Sequence, residues 1–316
     1  MQAARLSRRS LLAGSLGCFF GGRAFGRALE DNADYSESVY ADAVSADGRH
    51  GFIVRLARYP QLGQSRLWCH GFSGDDVFAF TDHDAPCGEA VTDLASGLAK
   101  YGGSADRLPA RLERVGVRLR PSRCRIEAQV NAHGAAHPDH GPGTVSMHVD
   151  ATFVPGHAPV SSLAGRSEVL GAVEGTLRLG EKTLRLQAPG HFHEQVRDTP
   201  RWQAPFCYAT IRGANLYSVA IKLEQGAVGF VVRDGETSRV TDFEIEAPSS
   251  ERAGRRALLV LESGERVSCR YRDTHVYSVP IDDLRRRGSL VVGTMSDVAV
   301  SGCINDYLPE RLSYLS

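Results

Sequence analysis

The chain has no net charge. Across 316 residues, 37 lysines and arginines are matched by 37 aspartates and glutamates. That balance gives no support to a nucleic-acid partner, which would need a basic excess. Long apolar helical stretches are missing as well. No two cysteines stand in CxxC spacing, so a zinc site of the usual pattern is unsupported. No GxSxG elbow, P-loop or dinucleotide fingerprint occurs in a strand-turn-helix setting. These absences leave no expected cofactor and no expected metal.

What the chain does contain points to β-structure. Glycine is abundant at 33 residues, and Val, Thr, Tyr and Phe come in short runs. Alternating segments occupy residues 35–41, 51–59, 65–72, 77–81, 115–119, 124–130 and 144–153. A second series covers 172–179, 183–187, 206–212, 216–223, 228–233, 239–245, 256–261, 266–272 and 290–300. Gly180-Glu181-Lys182 and Asp234-Gly235 read as hairpin turns. Only residues 282–287 look helical. About sixteen strands fit two antiparallel eight-stranded barrels or two sandwiches. The loop 155–166, crowded with Pro155, Gly156, Pro159, Ser161, Ser162 and Gly165, is the expected junction. The expected domains are therefore 29–165 and 166–316.

Residues 1–28 read as an address. Ser7-Arg8-Arg9-Ser10-Leu11-Leu12 is a twin-arginine pattern, followed by a short, weakly apolar run through Phe20. Such a run is too short to span a bilayer and suits a signal-peptide core. Cleavage after Gly26 or Ala28 would release a periplasmic or secreted protein. Lipidation at Cys18 is the weaker alternative, because Ser15 matches the usual leucine poorly. The six remaining cysteines permit disulfides outside the cytoplasm, while buried thiols are the simpler expectation.

The richest chemistry lies at Gly190-His191-Phe192-His193-Glu194-Gln195 and its continuation Arg201-Trp202-Gln203-Ala204-Pro205-Phe206-Cys207-Tyr208. In a strand, His191 and His193 share one face, and Phe192 and Glu194 the other. A metal set of His191, His193 and Glu194 is a minor reading, since no third histidine is close in sequence. An ion pair between Glu194 and Arg201 with purely structural histidines is a serious alternative. Asp82 and His83 at a strand end, and His275 further on, are weaker candidates.

Gly171 to Gly175, residues 184–195 and Arg201-Trp202 resemble the core pattern of the carotenoid 1,2-hydratase (hydroxyneurosporene synthase) and AttH-like lipocalin-like family. Its motif reads approximately Gly-Tyr-His-Asp-His-Asn-Trp-Gly, followed by an aromatic strand. Phe192-His193-Glu194-Gln195 corresponds to Tyr-His-Asp-His, with Gln195 in place of the second histidine and the Trp-Gly pair missing. Residues 37–40 and 51–56 resemble the start of that family's first barrel.

The resemblance implies two lipocalin-like barrels and cofactor-free acid-base chemistry on a carbon–carbon double bond of an isoprenoid or similar apolar substrate. Hydration, dehydration and cyclisation all fall in this class. It implies Glu194 as proton donor, assisted by His193 and His191. Trp202, Phe206, Tyr208, Phe192, Arg201 and Tyr40 are the expected substrate-binding residues. Reaching an apolar substrate would bring the protein to a membrane surface. A periplasmic carrier of a lipid or isoprenoid, without chemistry, is the alternative.

Overall fold

The computed structural model describes residues 32–87, 90–93, 98–101, 110–112, 122–133, 144–163, 165–199, 204–248, 254–281 and 284–309. The strands of the first part are β1 (Ser36–Val44), β2 (His50–Tyr59), β3 (Gln64–Ser73), β4 (Asp76–Pro86), β5 (Ala90–Asp93) and β6 (Leu98–Tyr101). They continue with β7 (Ala110–Leu112), β8 (Ser122–His133), β9 (Thr144–Pro155), β10 (Arg166–Leu179) and β11 (Lys182–Arg197). The second part holds β12 (Phe206–Gly213), β13 (Leu216–Leu223), β14 (Gly226–Arg233) and β15 (Glu236–Ile245). It ends with β16 (Gly254–Leu261), β17 (Arg266–Ile281), β18 (Leu284–Met295) and β19 (Val298–Pro309). No α-helix occurs among the described residues.

β12 to β19 form a closed barrel in chain order, sealed by β12 against β19. The first part is a nine-stranded sheet ordered β4-β3-β2-β1-β11-β10-β9-β8-β7. A short ladder, Val77 to His133 through Ala79 to Asn131, ties β4 to β8. The all-β, two-barrel lipocalin-like expectation therefore holds.

Strand alternation divides each side into an inner and an outer face. In β1, Val39, Ala41 and Ala43 join the core inside the first sheet, with Phe52, Val54 and Leu56 from β2 and Phe192 from β11. The intervening Tyr40 and Val44, with Ile53 and Trp68, face the second barrel and pack with its Tyr208, Ile221, Phe230 and Tyr277. The second barrel has its own interior, which includes Ile211, Phe243, Leu259 and Ile304. Three apolar layers result: two barrel interiors and the seam between them.

Two expectations are corrected. The 155–166 loop is not where the sheets divide. It links β9 to β10 inside the first sheet, and β11 then pairs with β1 along Ser36 to Ala43. The change of sheet falls between Arg197 and Phe206. β11 takes the edge of β1 that β2 leaves open and brings Phe192, opposite Ala41, into the inner core. Residues 284–287 are strand, not helix. Leu284 and Arg286 are buried and alternate with half-buried Arg285 and Arg287, the period of a strand. The expected signal segment 1–28 and the expected strand at 115–119 lie outside the described residues. Cys69, Cys87, Cys207, Cys269 and Cys303 are free thiols, and burial pushes the Cys69 thiol up to about 12.

Asp234-Gly235 turns the β14–β15 hairpin with φ of 51° and 86°, the two positive angles of a type I′ turn. Ser296-Asp297 does the same between β18 and β19, at φ of 46° and 66°, without a glycine. Side chains with a Cβ are strained in this region. Replacing Ser296-Asp297 with Asn-Gly should stabilise the protein by about 1 kcal/mol. An upward shift of the thermal midpoint checks it.

Candidate functional site

The outer face of β10 and β11 carries Arg166 and Glu168 on one strand and His191, His193 and Gln195 on the other. Register sets the neighbours. Glu168 lies opposite His193 and Arg166 opposite Gln195. Across the other edge of β11, Asp42 lies opposite His191 and Tyr40 opposite His193. β12 of the second barrel lays Tyr208, Thr210 and Arg212 over this patch. All of these residues are buried.

The result is a row of alternating charge that crosses from one sheet to the other. Arg166 Nε donates to Glu168 Oε1. His191 Nε2 sits 3.2 Å from Glu168 Oε2, and its Nδ1 sits 3.4 Å from Asp42 Oδ2. Arg212 Nη2 donates to Asp42 Oδ1 and, at 3.2 Å, to Thr210 Oγ1. Glu168 also accepts from Tyr208 O–H at 3.1 Å and Ser162 Oγ at 3.1 Å. Burial pushes its carboxyl up, but Arg166, His191 and Tyr208 outweigh that and hold it at about 2. Asp42 follows the same pattern: burial raises it, and Arg212 and His191 bring it below the ordinary carboxylate range. Burial pushes the Tyr208 phenol well up.

His193 stands beside this row. Its ring stacks on Tyr40 with centroids 4.9 Å apart and planes at 3°. Arg166 Nη2 lies 3.3 Å from its Nδ1. A guanidinium can only donate, so Nδ1 is the acceptor and the ring proton belongs on Nε2. Arg166 also lies over the Tyr208 ring, 4.5 Å from its centroid.

Between the sheets lies a cavity of about 110 Å³. His193, Tyr40, Tyr208, Phe206, Trp68 and Arg286 are among the residues that line it. Phe206 stacks on Tyr307 at 4.0 Å, which flattens one wall. Trp68 Nε1 donates to His83 Nε2 at 2.9 Å, which gives His83 a structural task. His275 Nε2 meets the Gly74 carbonyl at 2.9 Å and likewise has a structural contact.

The geometry rearranges the expected site. His193, Tyr40, Phe206 and Tyr208 line the cavity. His191 lies behind them, between two carboxylates. Glu194 and Phe192 are corrections. Both sit on the inner face of β11, in register with Val39 and Ala41 inside the first sheet. Glu194 is therefore not in the wall of the cavity, and Phe192 is a core residue. Arg201 and Trp202 lie outside the described residues. The carboxylate on the histidine face is Glu168, which sequence reasoning missed along with Arg166, Asp42 and Arg212. Arg166 and Glu168, two residues apart, fall on one strand face, but that spacing alone does not tell their role.

Glu168, His191 and His193 offer ligand atoms within 4.8 Å of one another, a donor set a metal ion could use. Here the donors are already committed. Glu168 accepts four hydrogen bonds, and the Arg166 guanidinium holds both Glu168 and His193. A cation at this spot would meet that fixed positive charge, so the set does not fit a metal.

Fold and site together define a two-barrel lipocalin-like protein with a polar, charge-paired seam. Solved structures share the fold. CghA, crystallised with Sch210972, aligns with a TM-score of 0.56 at 12% identity, over 88% of this chain and 89% of that one. A putative AttH from Nitrosomonas europaea aligns at 0.50 and 11% identity, over 92% and 99%. A kievitone hydratase from Nectria haematococca gives 0.48 at 9% identity, over 87% and 89%. These likenesses are of fold. No curated protein matches the sequence. Residues 26–298 match the family model described as Domain of unknown function (DUF7064), and the chain belongs to that family.

Two predictions follow from the charge row. Asp42→Ala leaves Arg212 buried without its carboxylate and should cost about 3–5 kcal/mol in urea unfolding. Adding Arg212→Met should recover most of that loss, because no unpaired charge remains. Glu168 and Asp42 both have depressed folded-state pKa values. Their stabilisation is complete above the ordinary carboxylate value, 4.5 for Glu168, and is lost as pH falls toward about 2. Urea midpoints measured between these limits should fall steeply, and less steeply in Glu168→Gln.

Proposed function

We propose that the protein is a cofactor-free, lyase-type enzyme that adds or removes a proton at a carbon–carbon double bond. Hydration, dehydration and cyclisation remain the candidate reactions. The observation that carries this reading is His193 in the cavity wall, with Nδ1 tied to Arg166 and stacked on Tyr40. A neutral histidine held with its proton on Nε2 is equipped to donate a hydrogen bond there to a carbonyl oxygen conjugated with the double bond, and so to stabilise the charge that gathers on that oxygen while solvent water exchanges the proton at carbon. In this reading Arg166 and Tyr40 are positioning residues, and Glu168 anchors Arg166.

The wall also limits the substrate. Protonating an isolated alkene needs a strong acid, a buried carboxylic acid kept protonated. Glu168 is held ionised and Tyr208 is pushed to a weaker acid, so neither supplies one. An imidazole works well on a double bond conjugated to a carbonyl, where charge is delocalised onto oxygen. We therefore favour an activated double bond over the isolated bond of a simple isoprenoid. The twin-arginine pattern supports action outside the cytoplasm, with a membrane surface as one source of substrate.

A carrier without chemistry is the second reading, favoured by the aromatic wall of Trp68, Phe206 and Tyr307. One experiment separates them. The protein is incubated in D₂O with a panel of conjugated unsaturated carbonyl compounds, and mass spectrometry follows deuterium incorporation and water addition. His193→Gln should lower the rate by about 10²–10³-fold while ligand binding persists. Glu194→Gln, on the inner face, should leave the rate per folded molecule unchanged. Binding with no exchange in the parent protein, or full activity in His193→Gln, sinks the catalytic reading.

A further inference from the structure

We infer that the cavity between the barrels takes an anion, specifically a carboxylate carried on an unsaturated or aromatic body. The inference deepens the reading of this cavity as the substrate site and rests on it. Four guanidinium groups line the cavity: Arg55, Arg166, Arg197 and Arg286. No aspartate or glutamate is among the described residues lining it. The walls around a neutral apolar ligand have no need of four fixed cations. An anion does.

Arg286 carries most of the argument. It is fully buried, at 0% exposure. Its Nε and Nη2 donate to Asn305 Oδ1 at 2.9 and 2.7 Å, and Nη2 also donates to Tyr277 O–H at 2.8 Å. Both acceptors are neutral. Nη1 has no hydrogen-bond partner. No carboxylate of the described residues lies within ion-pair distance of it. The groups that surround it electrostatically are Tyr277, Tyr307, Tyr40 and Cys303. A buried guanidinium without a counter-charge is costly, and the cost persists unless something else supplies the negative charge.

The neighbouring arrangement holds Arg286 in place and adds a second cation. Its guanidinium carbon lies 4.7 Å from the Trp68 ring centroid, and that of Arg55 lies 4.5 Å from the same ring. The indole steadies both guanidiniums through its π system and brings no counter-charge to Arg286. Tyr277 holds Arg286 by lying over Gly288, its partner across β17 and β18. A Cβ at Gly288 would meet the phenol at 2.1 Å. Arg166 differs from Arg286, because Glu168 already compensates it. Among the cavity's cations, Arg166 thus has a counter-charge in Glu168, whereas Arg286 has none among the described residues. With Nε and Nη2 engaged, Nη1 is the nitrogen of Arg286 left to donate, and its N–H groups suit a carboxylate oxygen. The aromatic walls suit the body attached to it.

The test compares trans-cinnamate with cinnamyl alcohol, which share one apolar body and differ in charge. Binding to the full chain is measured by calorimetry near pH 7.5, where the acid is ionised. The parent protein should bind cinnamate at least about tenfold more tightly than the alcohol. Arg286→Gln should erase that preference by weakening the acid about tenfold or more, with the alcohol little changed. Arg286→Lys should keep part of it. Equal binding of acid and alcohol in the parent protein, or binding of neither, overturns the inference without recourse to any variant. So does a preference that survives in folded Arg286→Gln. The catalytic reading fails separately. His193→Gln with full turnover would end that reading, while the ratio of acid to alcohol would still judge this one.

Discussion

The structure turns on the buried row Arg166–Glu168–His191–Asp42–Arg212. It starts on β10, passes through β11 and β1, and ends on β12 of the other barrel. Apolar packing between the sheets is non-directional, and the many contacts of the seam would tolerate several relative placements. Charges do not. Arg212 must meet Asp42, and Tyr208 must meet Glu168, or each leaves a partner buried and unpaired. Those two contacts come from one face of one strand, four residues apart, so they fix both position and direction of β12 on the first sheet. His191 lies at the node, with a carboxylate on each ring nitrogen.

That constraint shapes the cavity beside it. Because Arg166 is anchored by Glu168, it can hold His193 and cover Tyr208 with a single guanidinium. The histidine that faces the cavity is oriented through the same network that docks the barrels. The seam and the orientation of His193 share one network, since Arg166 and Glu168 belong to both. The cavity also has strong fixed positive charge and no strong acid in its described wall, which argues for delocalised negative charge in whatever occupies it.

Much of this was legible from residue order, though the site was only half so. Alternation in Gly190 to Gln195 put His191 with His193 and set Glu194 on the opposite face. It could not say which face looked toward the other barrel, because both faces are buried and burial on two sides removes the polar-out signal. The resemblance to a hydratase motif drew attention to Glu194, one residue from His193 in sequence and on the far side of the strand in space. Glu168, 25 residues before His193 and directly opposite it, gave no local sign of its role. Residues 282–287 read as a short helix, and three arginines in a row give no sign of burial. Arg286 is buried only because Asn305, Tyr277 and Trp68 are brought to it. The Pro- and Gly-rich loop before β10 looked like a domain junction, but loop composition marks a turn and does not tell which sheet the next strand will join.

The sequence by itself determined the β-architecture, the hairpin turns at 180–182 and 234–235, and the sharing of one strand face by two histidines. These are local properties, set by alternation and by which residues tolerate positive φ. Three-dimensional pairing settled which face of β11 meets the second barrel, which carboxylate serves the histidines, and that Arg286 is buried with no ion pair to an acid of the described residues. Those facts depend on pairing between strands, and no local pattern encodes a partner that arrives on the neighbouring strand β10, as Glu168 does, or from β1, far earlier in the chain, as Asp42 does.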